Sequence, residues 1–161
     1  MSVTTIRRIR GGDALRLQTF YNGLSETSKR TFHPLSQETT VEVCEDLVRD
    51  NRPASEDKLD LLGVHEEEIV GWGFLHNLKS GDPVLGLAVA DAWQGRGLGS
   101  ALLDALMAAA RERRVPAVTL TVVRDNDVAR AMYERRGFVV ADAFVGDDGL
   151  AYYRMVTKRE T

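Results

Sequence analysis

The sequence has little cysteine and no long apolar run. Cys44 is its only cysteine, so no disulfide forms within the chain, which favours a reducing compartment. The apolar stretch from Pro83 to Ala90 ends far short of the roughly 20 residues that a membrane span requires. The first residues, MSVTTIRRIRGG, lack the apolar segment of a secretory signal. We therefore expect a cytoplasmic protein that does not bind a membrane.

Basic residues are not in excess either. The net charge is -3 and the isoelectric point is about 5.6, which argues against a nucleic-acid-binding protein. The charge is uneven, because residues 1–92 carry a net -5 while residues 93–136 carry a net +3. Solvated helix faces explain such a basic segment as well as a bound anion does.

Apolar periodicity predicts the fold. Strand and helix patterns follow one another in the order β-α-α-β-β-β-α-β-α-β-β, with a second helix from about Ser36 to Asp50, Asp13 near the cap of the first helix, and an acidic hairpin turn at Glu66–Glu68. This order predicts an α/β fold of the mixed α+β kind, with about seven strands in a twisted mixed sheet flanked by about four helices. The length of 161 residues predicts one domain over residues 1–161.

Three glycines stand where a helix must begin. The segment QGRGLGS, residues 94–100, follows a strand pattern and precedes a helix pattern that runs to about Arg114. The first backbone N–H groups of a helix lack partners and carry partial positive charge, and glycines let a phosphate approach them closely. The turn therefore indicates a diphosphate cradle to which Arg96 adds charge. Glycines that serve close packing alone are the competing interpretation.

Two common phosphate-binding motifs do not fit this turn. The P-loop needs a lysine before its serine or threonine, and Gly99 is followed directly by Ser100. The dinucleotide fingerprint needs a different glycine spacing, G-x-G-x-x-G, in a βαβ unit that opens the domain. Here a long stretch of other structure precedes the glycines.

A third motif fits. The segment from Gln94 to Gly99 resembles the Q/R-x-x-G-x-G/A motif of the GNAT (GCN5-related N-acetyltransferase) superfamily, and TLTVVRDNDVARAMYERRGF resembles its second motif through Asn126, Tyr133, Gly137 and Phe138. The resemblance is direct over about residues 84–140. It implies an enzyme with a single GNAT-like domain that moves an acetyl group from acetyl-CoA, its cosubstrate, to a primary amine.

The resemblance also implies the roles of site residues. Backbone N–H groups from about Arg96 to Ser100 hold the diphosphate, backbone groups of two strand residues meet the pantetheine and thioester, and Asn126 bonds the cofactor arm. On the residues alone, the strand residues are typical of core and Asn126 of a helix cap. The implied cofactor-binding set is Leu87, Val89, Gln94, Gly95, Arg96, Gly97, Leu98, Gly99, Ser100 and Asn126, with no metal.

Tyr133 is the implied general acid, which protonates the departing CoA thiolate. Its helical spacing with Ala129 and Met132 is also typical of a core position. The general base is open, because the segment GDPVLG before the turn has no glutamate. The candidates are a water relay and the residues Glu66 to Glu68, His76 and His33.

The acceptor is expected to be a small-molecule amine or a protein amine. The resemblance places it at the N-terminal helices, the loop between them and the middle strands, which here means Phe20, Tyr21, Phe32, His33 and Trp72. The net charge of residues 1–92 favours a cationic amine. An acyl-CoA-binding sensor or structural protein without turnover is the alternative, and binding of another nucleotide is a second one. Edge strands of the C-terminal half are candidates for pairing in a homodimer.

Overall fold

The computed structural model describes residues 4–25, 39–51 and 57–158. Its strands are Thr5–Arg8 (β1), Leu59–His65 (β2), Glu68–His76 (β3), Val84–Val89 (β4), Ala117–Val123 (β5), Val139–Val145 (β6) and Ala151–Lys158 (β7). Its α-helices are Ala14–Asn22 (α1), Val41–Asp50 (α2), Leu98–Glu112 (α3) and Asp127–Glu134 (α4), and Asp91–Trp93 form one 3-10 turn. The strands form one mixed sheet in the order β1-β2-β3-β4-β5-β7-β6. The predicted fold class and element order are confirmed.

Local turn chemistry agrees with the prediction except at the second helix. α2 begins at Val41 instead of near Ser36, because Thr40 is its N-cap and its Oγ1 accepts a hydrogen bond of 3.3 Å from the Val43 N–H. The proposed residues 36–38 lie outside the described part of the chain. The acidic hairpin turn is confirmed, with Glu66 and Glu67 at φ of 49° and 68°.

Each face of the sheet carries its own core. On one face, α1 and α2 pack over the first four strands through buried residues that include Leu17, Leu47 and Trp72. On the other face, α3 and α4 cover a cluster that includes Leu106, Tyr133 and Met155. α3 lies close to the middle strands, since a Cβ at Gly71 or Gly73 would come within 2.9 or 2.8 Å of its leucine side chains. None of the helices in the described residues is long and apolar enough to span a membrane.

The edges of the sheet are β1 and β6. Every residue of β6 is exposed, and Val139, Val140, Phe144 and Val145 are its large apolar side chains. Pairing of this edge with a second copy of the chain stays a prediction.

Asp13 precedes α1, as expected, but its carboxylate does not cap the helix. It accepts two hydrogen bonds of 2.8 Å from the Arg7 guanidinium and one of 2.8 Å from the Arg10 N–H. The side chain is buried, which raises its pKa, but the bonds from Arg7 and Arg10 lower the pKa further, so the net shift is downward. The ion pair therefore ties β1 to the start of α1.

We expect this pair to make folding stability fall in acid. A carboxyl whose pKa is lowered by folding contributes stability that is present above its unfolded pKa of about 3.9 and is lost as the pH falls through the folded value. Asp13→Asn should therefore lower the free energy of unfolding by about 2 kcal/mol at pH 7 and flatten its decline below about pH 4. Urea unfolding measured across this pH range checks both effects. Asp46→Asn, in an exposed pair with Arg49, is the control, and parallel curves for wild type and Asp13→Asn would contradict the assignment.

Candidate functional site

β4 and β5 are parallel neighbours that pair at one end only. Their single register pair in the described residues is Val84 with Thr119, beside a 3.0 Å hydrogen bond from the Thr119 N–H to the Pro83 carbonyl. The strands then diverge toward their C-terminal ends. A cleft of about 680 Å³ opens between them, lined by three consecutive residues of each strand: Leu87, Ala88, Val89, Thr121, Val122 and Val123.

The backbone of β4 faces this cleft at alternate residues. The Ala90 N–H donates to the Val70 carbonyl at 2.9 Å, so the alternation of an antiparallel pair directs the groups of Ala88 to β3 and those of Leu87 and Val89 to the cleft. The Gln94 side-chain amide donates to the Val89 carbonyl at 3.1 Å. This bond fixes the following turn against the end of β4.

The glycine turn ends at the first turn of α3, where backbone N–H groups meet the cleft. Gly97 is the N-cap at φ of 85°, the left-handed region, and offers no side-chain cap. The N–H groups of Leu98, Gly99 and Ser100 consequently have no intrahelical acceptor. A Cβ at Gly97 would have no atom within 4 Å, so the approach is open. The helix dipole and these donors make the turn a site for an anion.

Cationic side chains lie near the turn. The Arg96 guanidinium sits 4.7 Å from the ring centroid of Trp93, which lines the cleft, and Trp93 contacts the His65 ring at 4.6 Å. Arg135 lines the opposite side. Arg130, in contrast, pairs with carboxylates of its own helix. Of these three arginines of the basic segment, Arg135 lines the cleft, and Arg96 lies beside it on Trp93.

α4 forms the other wall of the cleft. Asn126 lines the cleft and also caps α4, since its Oδ1 accepts a hydrogen bond of 3.1 Å from the Ala129 N–H. Tyr133 lines the cleft with 7% of its surface exposed and meets the Phe138 ring edge to face, with the centroids 5.7 Å apart. Burial raises the pKa of the Tyr133 phenol well above its ordinary value. The phenol is therefore a protonated group at the cleft over the physiological pH range.

Comparison with known proteins places these features in a family. A sequence profile of the acetyltransferase (GNAT) family matches residues 21–138, which is most of the chain. The chain belongs to the GNAT family. The resemblance predicted from Gln94–Gly99 and from Asn126–Phe138 is thereby confirmed.

Individual relatives agree with the GNAT assignment. The 5-NmdU N-acetyltransferase of Pseudomonas phage PaMx11 is 39% identical over 95 residues, which is 58% of this chain and just under two thirds (66%) of that enzyme. A GNAT-family acetyltransferase structure from Streptococcus pneumoniae has a TM-score of 0.82 at 21% identity, covering 98% of this chain and 100% of that one. The PaiA N-acetyltransferase of Thermoplasma acidophilum, in complex with coenzyme A, has a TM-score of 0.71 at 19% identity and covers 98% and 99%. These structures confirm the GNAT fold.

The structure brings most of the predicted cofactor residues of this GNAT chain to one cleft. Two do not line it with their side chains: Arg96 lies on Trp93, and Leu98 packs into the core at 8% exposure. The other eight line it, as does the predicted acid Tyr133: Leu87, Val89, Gln94, Gly95, Gly97, Gly99, Ser100 and Asn126. Their binding roles stay predictions.

The predicted acceptor residues are wrong where the structure describes them. Phe20, Tyr21 and Trp72 belong to the buried core under α1 and α2, with at most 7% of their surface exposed. Their apolar area stabilises the packing of these helices on the sheet, so they are not free to bind an acceptor. Phe32 and His33 lie outside the described residues.

The base candidates do not line the cleft either. His76 bonds to the buried Asp60 carboxylate at 2.9 Å and stacks on Phe74 at the closed end of β4. Glu66 to Glu68 lie at the exposed hairpin turn, and Asp125 is the one carboxylate among the described residues that line the cleft.

Sequence reasoning missed several walls of the cleft. Trp93 stands directly before the glycine motif, and this position alone could have predicted that its ring lines the cleft. Leu150 comes from the turn between β6 and β7, and no local pattern places this turn at the C-terminal end of β5.

Proposed function

We propose that this GNAT protein transfers an acetyl group from acetyl-CoA to a primary amine by direct attack, with Tyr133 as the general acid. The observation that carries the proposal is the cleft between β4 and β5, which joins the anion-binding turn at Gly97 to the buried phenol of Tyr133. The coenzyme A complex of the Thermoplasma structure supports the donor. The name of the phage relative, an N-acetyltransferase, supports an amine acceptor.

The cleft fits the chemistry of acetyl-CoA, which supplies a thioester as the acetyl donor when bound. The N–H groups of Leu98, Gly99 and Ser100 would hold the diphosphate with the positive end of the α3 dipole behind them. Arg96 and Arg135 would reduce its remaining charge. The missing Cβ of Gly97 leaves room for the phosphate oxygens.

The edge of β4 would align the thioester. Amide groups of the pantetheine arm would pair with the backbone of Leu87 and Val89, as another strand would. An N–H of this edge directed at the thioester carbonyl stabilises the negative charge that develops during attack, and such a donor contributes about 3 kcal/mol. Asn126 would bond the cofactor arm while its Oδ1 continues to cap α4.

Tyr133 would then give its proton to the sulfur as the C–S bond breaks. A phenol is a weak acid relative to a thiol in water, by about 1.5 pKa units. Both groups would lie in the same cleft, and burial would disfavour the thiolate anion as it disfavours the phenolate. Proton transfer between two positioned groups therefore remains accessible. We assign removal of the proton from the amine to water, because none of the predicted base residues that the structure describes lines the cleft.

A thiol-release assay with acetyl-CoA and a panel of amines tests the proposal. We expect amine-dependent release of free thiol, and a thermal shift with acetyl-CoA that exceeds the shifts with NAD and ATP. A preference for anionic acceptors would contradict the predicted cationic amine. A thermal shift with acetyl-CoA but no thiol release with any amine would support the alternative, an acyl-CoA-binding sensor or structural protein.

A further inference from the structure

The cleft passes through the sheet. Some of its lining side chains, such as Leu87 and Val122, belong to the face covered by α3 and α4. Others point to the opposite face, because side chains alternate along a strand, and these include Ala88, Thr121 and Val123. The side covered by α3 and α4 carries the glycine turn and Tyr133. With acetyl-CoA held on that side, as the proposed function has it, an acceptor would approach the thioester from the opposite face.

On that opposite face, no helix of the described residues covers β5, β7 and β6, since the core of α1 and α2 ends at β4. We call this surface the uncovered face. Cross-strand pairing arranges it in two rows that start at the cleft. One row runs from Thr121 through Arg154 to Asp142, and the other from Val123 through Tyr152 to Phe144.

The second row ends in a rigid aromatic pair. The rings of Phe144 and Tyr152 stack with centroids 5.4 Å apart and an angle of 14° between their planes. Tyr152 is 4% exposed and its hydroxyl donates to the Asp148 carboxylate, so its ring is fixed. Phe144 is 41% exposed. An exposed ring that is stacked on a fixed one can bind another flat ring by stacking.

The first row carries no net charge. The Arg154 guanidinium bonds both carboxylate oxygens of Asp142, with N–O distances of 2.6 to 3.2 Å. This pairing neutralises the two charges within the row, and the Asp82 carboxylate also acts on Arg154 from outside it. The uncharged contact that this face offers an acceptor is the aromatic pair.

We propose that the uncovered face binds the body of the acceptor and that Phe144, stacked on Tyr152, selects amines carrying a neutral aromatic group. β5 and β6 are separated by two strand spacings, which is about 10 Å. Because the cleft lies beyond β5, the aromatic group lies at least that far from the amine nitrogen. The inference rests on the proposed function for the amine and deepens it by naming the class of acceptor.

The test compares ω-phenylalkylamines of increasing chain length with n-alkylamines of matching length. We expect the wild-type protein to have its lowest KM for a phenylalkylamine long enough to reach Phe144. Phe144→Ala should raise that KM about fivefold and leave the KM of short alkylamines and of acetyl-CoA unchanged. Phe144→Leu, which keeps apolar bulk without a ring, should resemble the alanine variant for the aromatic series.

Val145→Ala is the matched control. It lies on the same strand, is 71% exposed, and pairs with Ala151 on the other face of the sheet, so all KM values should stay as in the wild type. Equal effects of Phe144→Ala on aromatic and alkyl amines, or no effect on either, would overturn the inference. Calorimetric binding of the same amines to the CoA-loaded protein is measured in parallel. Phe144-dependent binding without thiol release would reject the proposed transfer and retain the acceptor surface.

Discussion

Replacing Tyr133 with phenylalanine lowers kcat for acetyl transfer by about 100-fold, the expected contribution of a general acid. The Kd of acetyl-CoA stays within about twofold of the wild-type value, because the ring and its contact with Phe138 are kept. Only the hydroxyl is removed, so the C–S bond must break to a thiolate that receives no proton from the protein. Steady-state kinetics and calorimetric titration with acetyl-CoA measure the two quantities.

Tyr153→Phe is the control for this prediction. Tyr153 is half-buried on β7, where its ring contacts the guanidinium groups of Arg124 and Arg130, and it does not line the cleft. We expect its kcat to remain close to the wild-type value. If Tyr133→Phe turned over as fast as the wild type, the phenol would be a packing residue and the acid would be water. A parallel loss of acetyl-CoA affinity would indicate instead that the hydroxyl binds the cofactor.

Replacing Gly97 with valine raises the Kd of acetyl-CoA by about 30-fold, which corresponds to about 2 kcal/mol. A β-branched residue is strained at the φ of 85° that Gly97 adopts, and relief of that strain rotates the first N–H groups of α3 away from the cleft. The new side chain also occupies the open space in front of those groups. Titration with acetyl-CoA measures the loss of affinity.

Gly81→Val separates strain from binding. Gly81 has nearly the same φ, 82°, and a Cβ there would also have no neighbour within 4 Å, but it lies in the turn before β4 and does not line the cleft. We expect both variants to lose similar amounts of unfolding free energy, while Gly81→Val keeps the wild-type Kd. Equal Kd values for Gly97→Val and the wild type would mean that the diphosphate does not bind at this turn.

Local patterns in the sequence were sufficient for the element order, since the periods of helix and strand are properties of neighbouring residues. The cap at Asn126 and the left-handed Gly97 are also local, and both are where the pattern indicated. The start of α2 was not predicted, because Thr40 competes successfully as a cap within a run of helix-compatible residues.

Other features depend on how distant elements pack. Phe20 and Trp72 are aromatic residues of the kind that often contacts a bound acceptor. Only the packing of α1 on β3 shows that they belong to the core. The cleft itself results from the divergence of β4 and β5 after one pair, which depends on strand register. The aromatic pair of Phe144 and Tyr152 likewise requires that β6 lie beside β7.

The single pair between Val84 and Thr119 also has a mechanical consequence. Within residues 4–25, 39–51 and 57–158, backbone pairing joins the first four strands to the last three only at this pair. α3 adds a further connection, because Leu103 and Leu106 pack in one cluster with Leu85 of β4 and Leu120 of β5. The helix whose first turn borders the cleft therefore also resists separation of the two half-sheets.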